Sequence, residues 1–150
     1  MVQALVIDTT IFVQAYMEDV DTPRVRTLFG QMLDPDPTKL HIAEFCIIEC
    51  TNILWKRVRF SKMPVNTARR AVQSLISTPV IVHQATDFLP RALEIGVSNQ
   101  LAIYDAIIVA LAEKLRCPLI TLDDQQKKVA RAVGITLRPI TDYPPFKEDA

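Results

Sequence analysis

Four acidic residues stand out by where they fall in the chain: Asp8, Glu49, Asp105 and Asp123. Asp8 and Asp123 each follow a short branched apolar run, Asp105 opens an almost wholly apolar stretch, and Glu49 sits inside a mostly apolar one. Intervals of 41, 56 and 18 residues separate them, so only tertiary folding can bring them together. Gathered carboxylates repel one another at neutral pH, and either proton uptake or a bound cation must relieve this. Oxygen ligands without imidazole or thiolate select hard cations, Mg²⁺ or Mn²⁺. Such a centre lowers the pKa of a bound water and screens charge developing on a phosphoryl group. Taken singly, Asp8, Asp105 and Asp123 read more simply as helix caps, whereas Glu49 is harder to dismiss, with a place on a solvated helix stripe as its alternative.

Glu49 lies on a stripe with Asn52, Lys56 and Arg59 if residues 44–59 are helical, while Phe45, Ile48, Ile53, Leu54 and Trp55 occupy much of the rest. An acid and an amide followed by two bases are laid out as if running from a metal to a phosphate backbone. The net charge is zero, but its distribution is uneven. Residues 1–49 hold eight acids and three bases, whereas residues 50–86 hold six bases and no acid. A basic block beside an acidic one suits a metal-dependent enzyme acting on a polyanion; two solvated helix faces would look the same.

The elements that must position these residues follow from periodicity and breakers. Apolar runs at Val2–Ile7, Leu40–Ala43, Val80–Val82, Pro118–Leu122 and Ile135–Arg138 predict five strands. Helices are predicted over Thr10–Met17, Pro23–Leu33, Glu44–Arg59, Pro64–Ile76, Thr86–Ile95, Asp105–Arg116 and Gln125–Val133, with Gly96 and Gly134 closing two of them. Asp34-Pro35-Asp36-Pro37 reads as a loop. Apolar strands alternating with helices imply an α/β three-layer sandwich around a parallel sheet of about five strands. The 150 residues suit a single domain, with a proline-containing tail from about Pro139 that packs irregularly before fraying. Ligands of such folds bind beyond the carboxyl ends of the strands, where Asp8 and Asp123 are expected.

Val6-Ile7-Asp8-Thr9-Thr10, Ile48-Glu49-Cys50-Thr51-Asn52-Ile53-Leu54-Trp55, Tyr104-Asp105-Ala106 and Ile120-Thr121-Leu122-Asp123 together resemble the four motifs of PIN-domain nucleases. They occur in the family's order, from Leu5 to about Arg138. The resemblance implies that Asp8, Glu49, Asp105 and Asp123 are the acidic quartet, with Thr10 and Thr121 as its supporting hydroxyls and Asn52 beside them. A lone, short PIN domain is similar to the VapC-type toxins of toxin–antitoxin pairs. That likeness implies Mg²⁺- or Mn²⁺-dependent cleavage of RNA, a small antitoxin partner, and pairing of two copies through helical surfaces. Lys56 and Arg59 would then meet RNA phosphates flanking the scissile bond, Arg69 and Arg70 would face solvent, and Trp55, Phe60 and Met63 would serve either a dimer or the monomer's core.

Other classes fit less well. A haloacid-dehalogenase-type phosphatase would want a second Asp where Thr10 stands, and a receiver-like domain would want a late lysine and paired acids before the first strand; those acids are absent. A PIN scaffold that only binds RNA or a partner remains the non-enzyme alternative. Asp124 is expected either to cap the helix at Gln125 or to share the last motif with Asp123. Cys46, Cys50 and Cys117 are an odd set without zinc spacing to His41 or His83, so reduced thiols are expected. The longest apolar run, Ala106–Ala112, is too short for a membrane span, and no signal peptide is read at the N-terminus, so a cytoplasmic protein is expected.

Overall fold

A computed structural model of the chain describes residues 3–147. The first strand runs from Ala4 to Ile7 (β1), and Val2, its expected start, lies outside the described residues. Leu5, Val6 and Ile7 are all buried, as a strand covered on both faces requires. β2 (Lys39–Ala43) pairs with one side of β1, β3 (Ile81–His83) pairs beyond β2, and β4 (Leu119–Ile120) takes the other side of β1. The order is β3-β2-β1-β4, and every pairing is parallel.

Helices join these strands. α1 (Thr9–Phe12) continues as a 3-10 turn through Tyr16 and is followed by α2 (Thr22–Gly30). α3 (Phe45–Phe60) and α4 (Val65–Ser77) lie between β2 and β3. α5 (Leu89–Asn99) and α6 (Ile103–Leu115) return the chain to β4, and α7 (Asp124–Val133) follows it. The connections run from β1 through β2 to β3 in one direction and from β3 back to β4 in the other, and because parallel crossovers are right-handed this reversal puts helices on both faces of the sheet. α6, buried without a break from Ala106 to Ala112, packs on β1 and β2. The three-layer α/β sandwich is therefore present.

Three expectations are corrected. The fifth strand reduces to one parallel bridge, Leu119 to Leu137, so the sheet has four strands. Leu119 donates to the Thr136 carbonyl and accepts from the Arg138 amide, each at 2.9 Å, but Pro139 has no N–H to extend the ladder. β4 itself is only two residues long, because Thr121 turns out of the sheet toward Asp8. Gly96, expected to end a helix, is buried inside α5, which runs on to a left-handed cap at Gln100 (φ 55°). A Cβ at position 96 would stand 2.8 Å from the Leu101 carbonyl oxygen, so glycine here lets the α5–α6 corner close. Gly134 does cap α7, at φ 90°.

The tail packs on α2 beyond Pro139. Arg24 donates to the Tyr143 carbonyl at 2.8 Å, and the Phe146 amide donates to the Pro23 carbonyl at 2.8 Å. The acidic end, Glu148 and Asp149, lies outside the described residues. Among the described residues no single helix is long and apolar enough to cross a membrane.

Candidate metal centre and active site

Strand register takes the first step toward the site. Ile7 pairs with Ile120, so the next residues, Asp8 and Thr121, leave the carboxyl edge side by side. This is where the strand order reverses, the place at which doubly wound sheets open a crevice. The Thr121 hydroxyl donates to Asp8 Oδ2, while Asp8 Oδ1 accepts from the Thr10 hydroxyl at 2.6 Å and the Ile11 amide at 3.2 Å. Asp8 thus caps α1 and is only 4% exposed. Both hydroxyls also accept: Thr10 from the Leu122 amide and Thr121 from the Asp123 amide, each at 3.0 Å. The two threonines stitch the chain leaving β1 to the chain leaving β4.

The other carboxylates arrive from three helices. α3 begins directly after β2 and packs on α1, which brings Glu49 to the Thr9 hydroxyl; Thr9 donates to Glu49 Oε1 at 2.9 Å. Asp105 stands in the first turn of α6, where the free amides favour negative charge. It is not the cap, since α6 is preceded by Ala102. Asp123 caps α7, accepting from the Gln126 amide at 2.8 Å. Gln126 is buried and donates through Nε2 to the Asp105 carbonyl at 3.0 Å, tying the α6 and α7 termini together. Asp124 is the first residue of α7 and does not cap it; its exposed carboxylate pairs loosely with Lys127 at 3.8 Å.

Asp8, Thr9, Thr10, Glu49, Asp105 and Asp123 line one cavity of about 200 Å³, closed by Ile108 and Gln126. Capping and site-building are therefore not alternatives for Asp8 and Asp123: each spends one oxygen on its helix and still faces the cavity. Two lining residues, Thr9 and Gln126, are additions to the set that the sequence suggests. Thr9 carries no signal beyond adjacency to Asp8. Gln126 is the third residue after Asp123, which is capping-box spacing, and that pattern could have found it.

Burial pushes the Asp8 carboxyl up to about 6, although the Thr10, Thr121 and Ile11 hydrogen bonds oppose it, and the Asp105 charge adds to the rise. Asp105 is raised as well, first by burial and then by the charges of Asp123 and Glu49. That repulsion is what a bound cation would relieve. The lining donors are all oxygens, which suits Mg²⁺ or Mn²⁺ better than a softer ion. Among the described residues no group of three or more His, Cys, Asp or Glu side chains is placed closely enough to hold a metal ion as the side chains stand.

Not every expected residue reaches the cavity. Asn52, Lys56 and Arg59 are exposed on α3 and do not line it. About two and three helical turns separate Lys56 and Arg59 from Glu49, roughly 10 and 15 Å along the axis. Cys46 and Cys50 are buried free thiols; burial lifts Cys46 to about 12 and raises Cys50 further still, so both are protonated.

A parallel sheet of this order, with a carboxylate-lined cavity where β1 and β4 exit, defines an acidic-site α/β protein of the PIN type. The PIN domain matches residues 5–132, and the chain belongs to that family. Ribonuclease VapC3 of Pyrobaculum aerophilum is 28% identical over 123 residues, covering 81% of this chain and 90% of that protein. The crystal structure of PAE2754 from the same organism superposes with a TM-score of 0.72 at 20% identity, over 95% of this chain and 94% of that one. VapC20 of Mycobacterium tuberculosis, described as a sarcin-ricin loop cleaving toxin, follows at a TM-score of 0.65 and 17% identity, covering 93% and 99% of the two chains.

Proposed function

We propose that this protein is a Mg²⁺- or Mn²⁺-dependent endoribonuclease, the toxin of a type II toxin–antitoxin pair acting in the cytoplasm. The observation that carries this reading is the convergence of Asp8, Glu49, Asp105 and Asp123 on one small cavity at the sheet's switch point. Likeness to a ribonuclease and to a sarcin-ricin loop cleaving toxin supports RNA as the substrate, and the fold shared with a toxin–antitoxin complex supports an antitoxin partner.

Asp8, Asp105 and Asp123 would hold the ion directly or through water, with Glu49 orienting the site or serving a second ion. When bound, the ion supplies an acidified water and screens charge on the phosphoryl group. The chain's own contribution is orientation. Thr10 and Thr121 fix both oxygens of Asp8, and Thr9 holds one oxygen of Glu49. Gln126 ties the Asp105 turn to the helix that Asp123 caps. Lys56 and Arg59, exposed on the helix that carries Glu49, would contact RNA phosphates away from the cut bond.

Self-association is part of the same proposal. Trp55 and Phe60 are 56% and 72% exposed, so they do not fill the monomer's core, whereas Met63 packs against it. They stand edge to face at 6.2 Å beside an apolar groove between α3 and α4, lined by Leu54, Val58, Val65 and Val72.

The deciding experiment is cleavage of RNA by purified protein in Mn²⁺ or Mg²⁺, its arrest in EDTA, and its loss in Asp8→Asn. Activity that survives EDTA or the substitution would sink the metal mechanism. A folded protein that binds RNA but never cuts it would be the catalytically silent scaffold instead.

A further inference from the structure

A second cavity, of about 530 Å³, lies on the other side of Thr121 from the acidic one. It is lined by Lys127, Arg131 and Arg138, by Thr121, and by the chain from Leu137 to Thr141; among the described residues no acid lines it. Lys127 and Arg131 are four residues apart on α7, so they project from one face of that helix. Arg138 is placed by the bridge of Leu137 to Leu119 and is held by the Tyr143 hydroxyl at 3.4 Å and by Asp142 at 3.9 Å. The loose contact of Lys127 with exposed Asp124, at 3.8 Å, leaves its ammonium able to turn toward a ligand.

The connection to the first cavity gives this one a meaning. Thr121 lines the basic cavity, and its hydroxyl donates to Asp8, which lines the acidic one. α7 serves both, with Asp123 at its N-terminus, Lys127 in its first turn and Arg131 in its last. One buried side chain thus separates a set of carboxylates from three cations. A single small anion would not need the carboxylates, and a metal ion would be repelled by the bases. A polyanionic strand uses both: one phosphate goes to the cation held by acids, and the neighbouring phosphate to the bases.

Resting on the ribonuclease reading above, we propose that Lys127, Arg131 and Arg138 form a second anion subsite, which holds an RNA phosphate flanking the one that is cut. This subsite is separate from Lys56 and Arg59 on α3 and shares a helix with Asp123.

The test is equilibrium binding of a fluorescein-labelled single-stranded RNA in EDTA, where cleavage plays no part. Lys127→Gln with Arg131→Gln is the informative pair, because Arg138 also braces the tail. Two lost phosphate contacts should flatten the salt slope by about 1.4, so that raising salt from about 50 to about 200 mM costs the variant roughly sevenfold less affinity than it costs wild type. Lys127→Arg with Arg131→Lys should restore the slope, which a merely structural role would not predict. An unchanged affinity and slope in a variant with a wild-type melting temperature would overturn the subsite, as would loss only of an acidic peptide's binding. Wild-type protein that binds RNA with the expected slope yet never cleaves it in any divalent metal would overturn the catalytic reading and leave the subsite standing.

Discussion

Asp8 combines two demands that work against each other at the scale of one residue. Its three hydrogen bonds place it with no freedom to swing, and its burial makes the charge it must carry costly. The carboxyl is raised from 3.8 to about 6 in the folded, metal-free protein, so the folded state binds more protons than the unfolded state between those values. Stability from this group is therefore present at low pH and lost as pH rises through about 6, a loss of about 3 kcal/mol for a shift of this size. Asp8→Asn, measured in EDTA, should melt higher than wild type at pH 7–8 and lose that advantage near pH 4. The same variant should fail to cut RNA and gain little melting temperature from millimolar Mn²⁺, whereas wild type gains. Equal melting of the two proteins across that pH range would show that Asp8 carries no buried charge.

Elements meet the site through their ends, so small errors in helix placement should register there. Gly96 lets the α5–α6 corner close, and α6 carries Asp105 in its first turn. Gly96→Ala should cost about 1–3 kcal/mol of stability by overpacking. It should also weaken the stabilisation by Mn²⁺, because the methyl pushes on the segment leading into Asp105; a variant with wild-type melting and metal response would refute this account of the corner. Between β2 and β3, His41 Nδ1 and His83 Nε2 lie 2.8 Å apart. Burial is the main cause that holds both imidazoles below the ordinary 6.5; His83 and Lys39 add to it at His41, whereas at His83 the Asp87 charge opposes it and Lys114 adds a smaller push. The unfolded chain takes up their protons first as pH falls, so stability should decline below about 6.5, opposite in sign to the Asp8 effect. Urea titrations of His83→Gln against wild type should show a shallower decline over pH 7 to 5.

Charge and apolar surface are segregated across the whole molecule. The acids of the first third and the bases of α3 and α4 largely cancel in the net charge, yet they remain on different elements. Some of this separation is tied down: Arg57 on α3 pairs with Asp19 at 3.0 Å, and Arg69 donates to Asn66 at 3.0 Å. Lys56 and Arg59 stay exposed, and Arg59 lies over the Phe60 ring at 5.7 Å. An exposed Trp55–Phe60 pair whose Trp55 lines an apolar groove is the kind of surface that monomers seldom leave bare. Light scattering at micromolar concentration should show a dimer that Trp55→Lys converts to a folded monomer. A wild-type monomer under those conditions would remove self-association from the proposal.

The fold class and the four acids are legible in the sequence because both depend on local signals. Alternating apolar strands and helices demand a covered parallel sheet, and an Asp placed directly after a strand can only emerge at the carboxyl edge. The quartet's order along the chain is sufficient to suggest the family. Only the tertiary structure decides what joins these pieces. The Ile7–Ile120 register sets Asp8 against Thr121, and no local pattern encodes the register of strands more than a hundred residues apart. Thr9 and Gln126 enter the site through contacts made across helices, while Asn52 stays outside it although it shares the helix that carries Glu49. The fifth strand fails for a similar reason. Its apolar pattern is genuine, but Pro139 and the departure of Thr121 toward Asp8 leave room for a single bridge. Gly96 reads in sequence as a helix stop, and only the Leu101 carbonyl lying against it shows that it answers to close packing. The basic cavity beside Thr121 depends on Arg138 being carried to β4 by that bridge, a placement that exists only once the chain has folded.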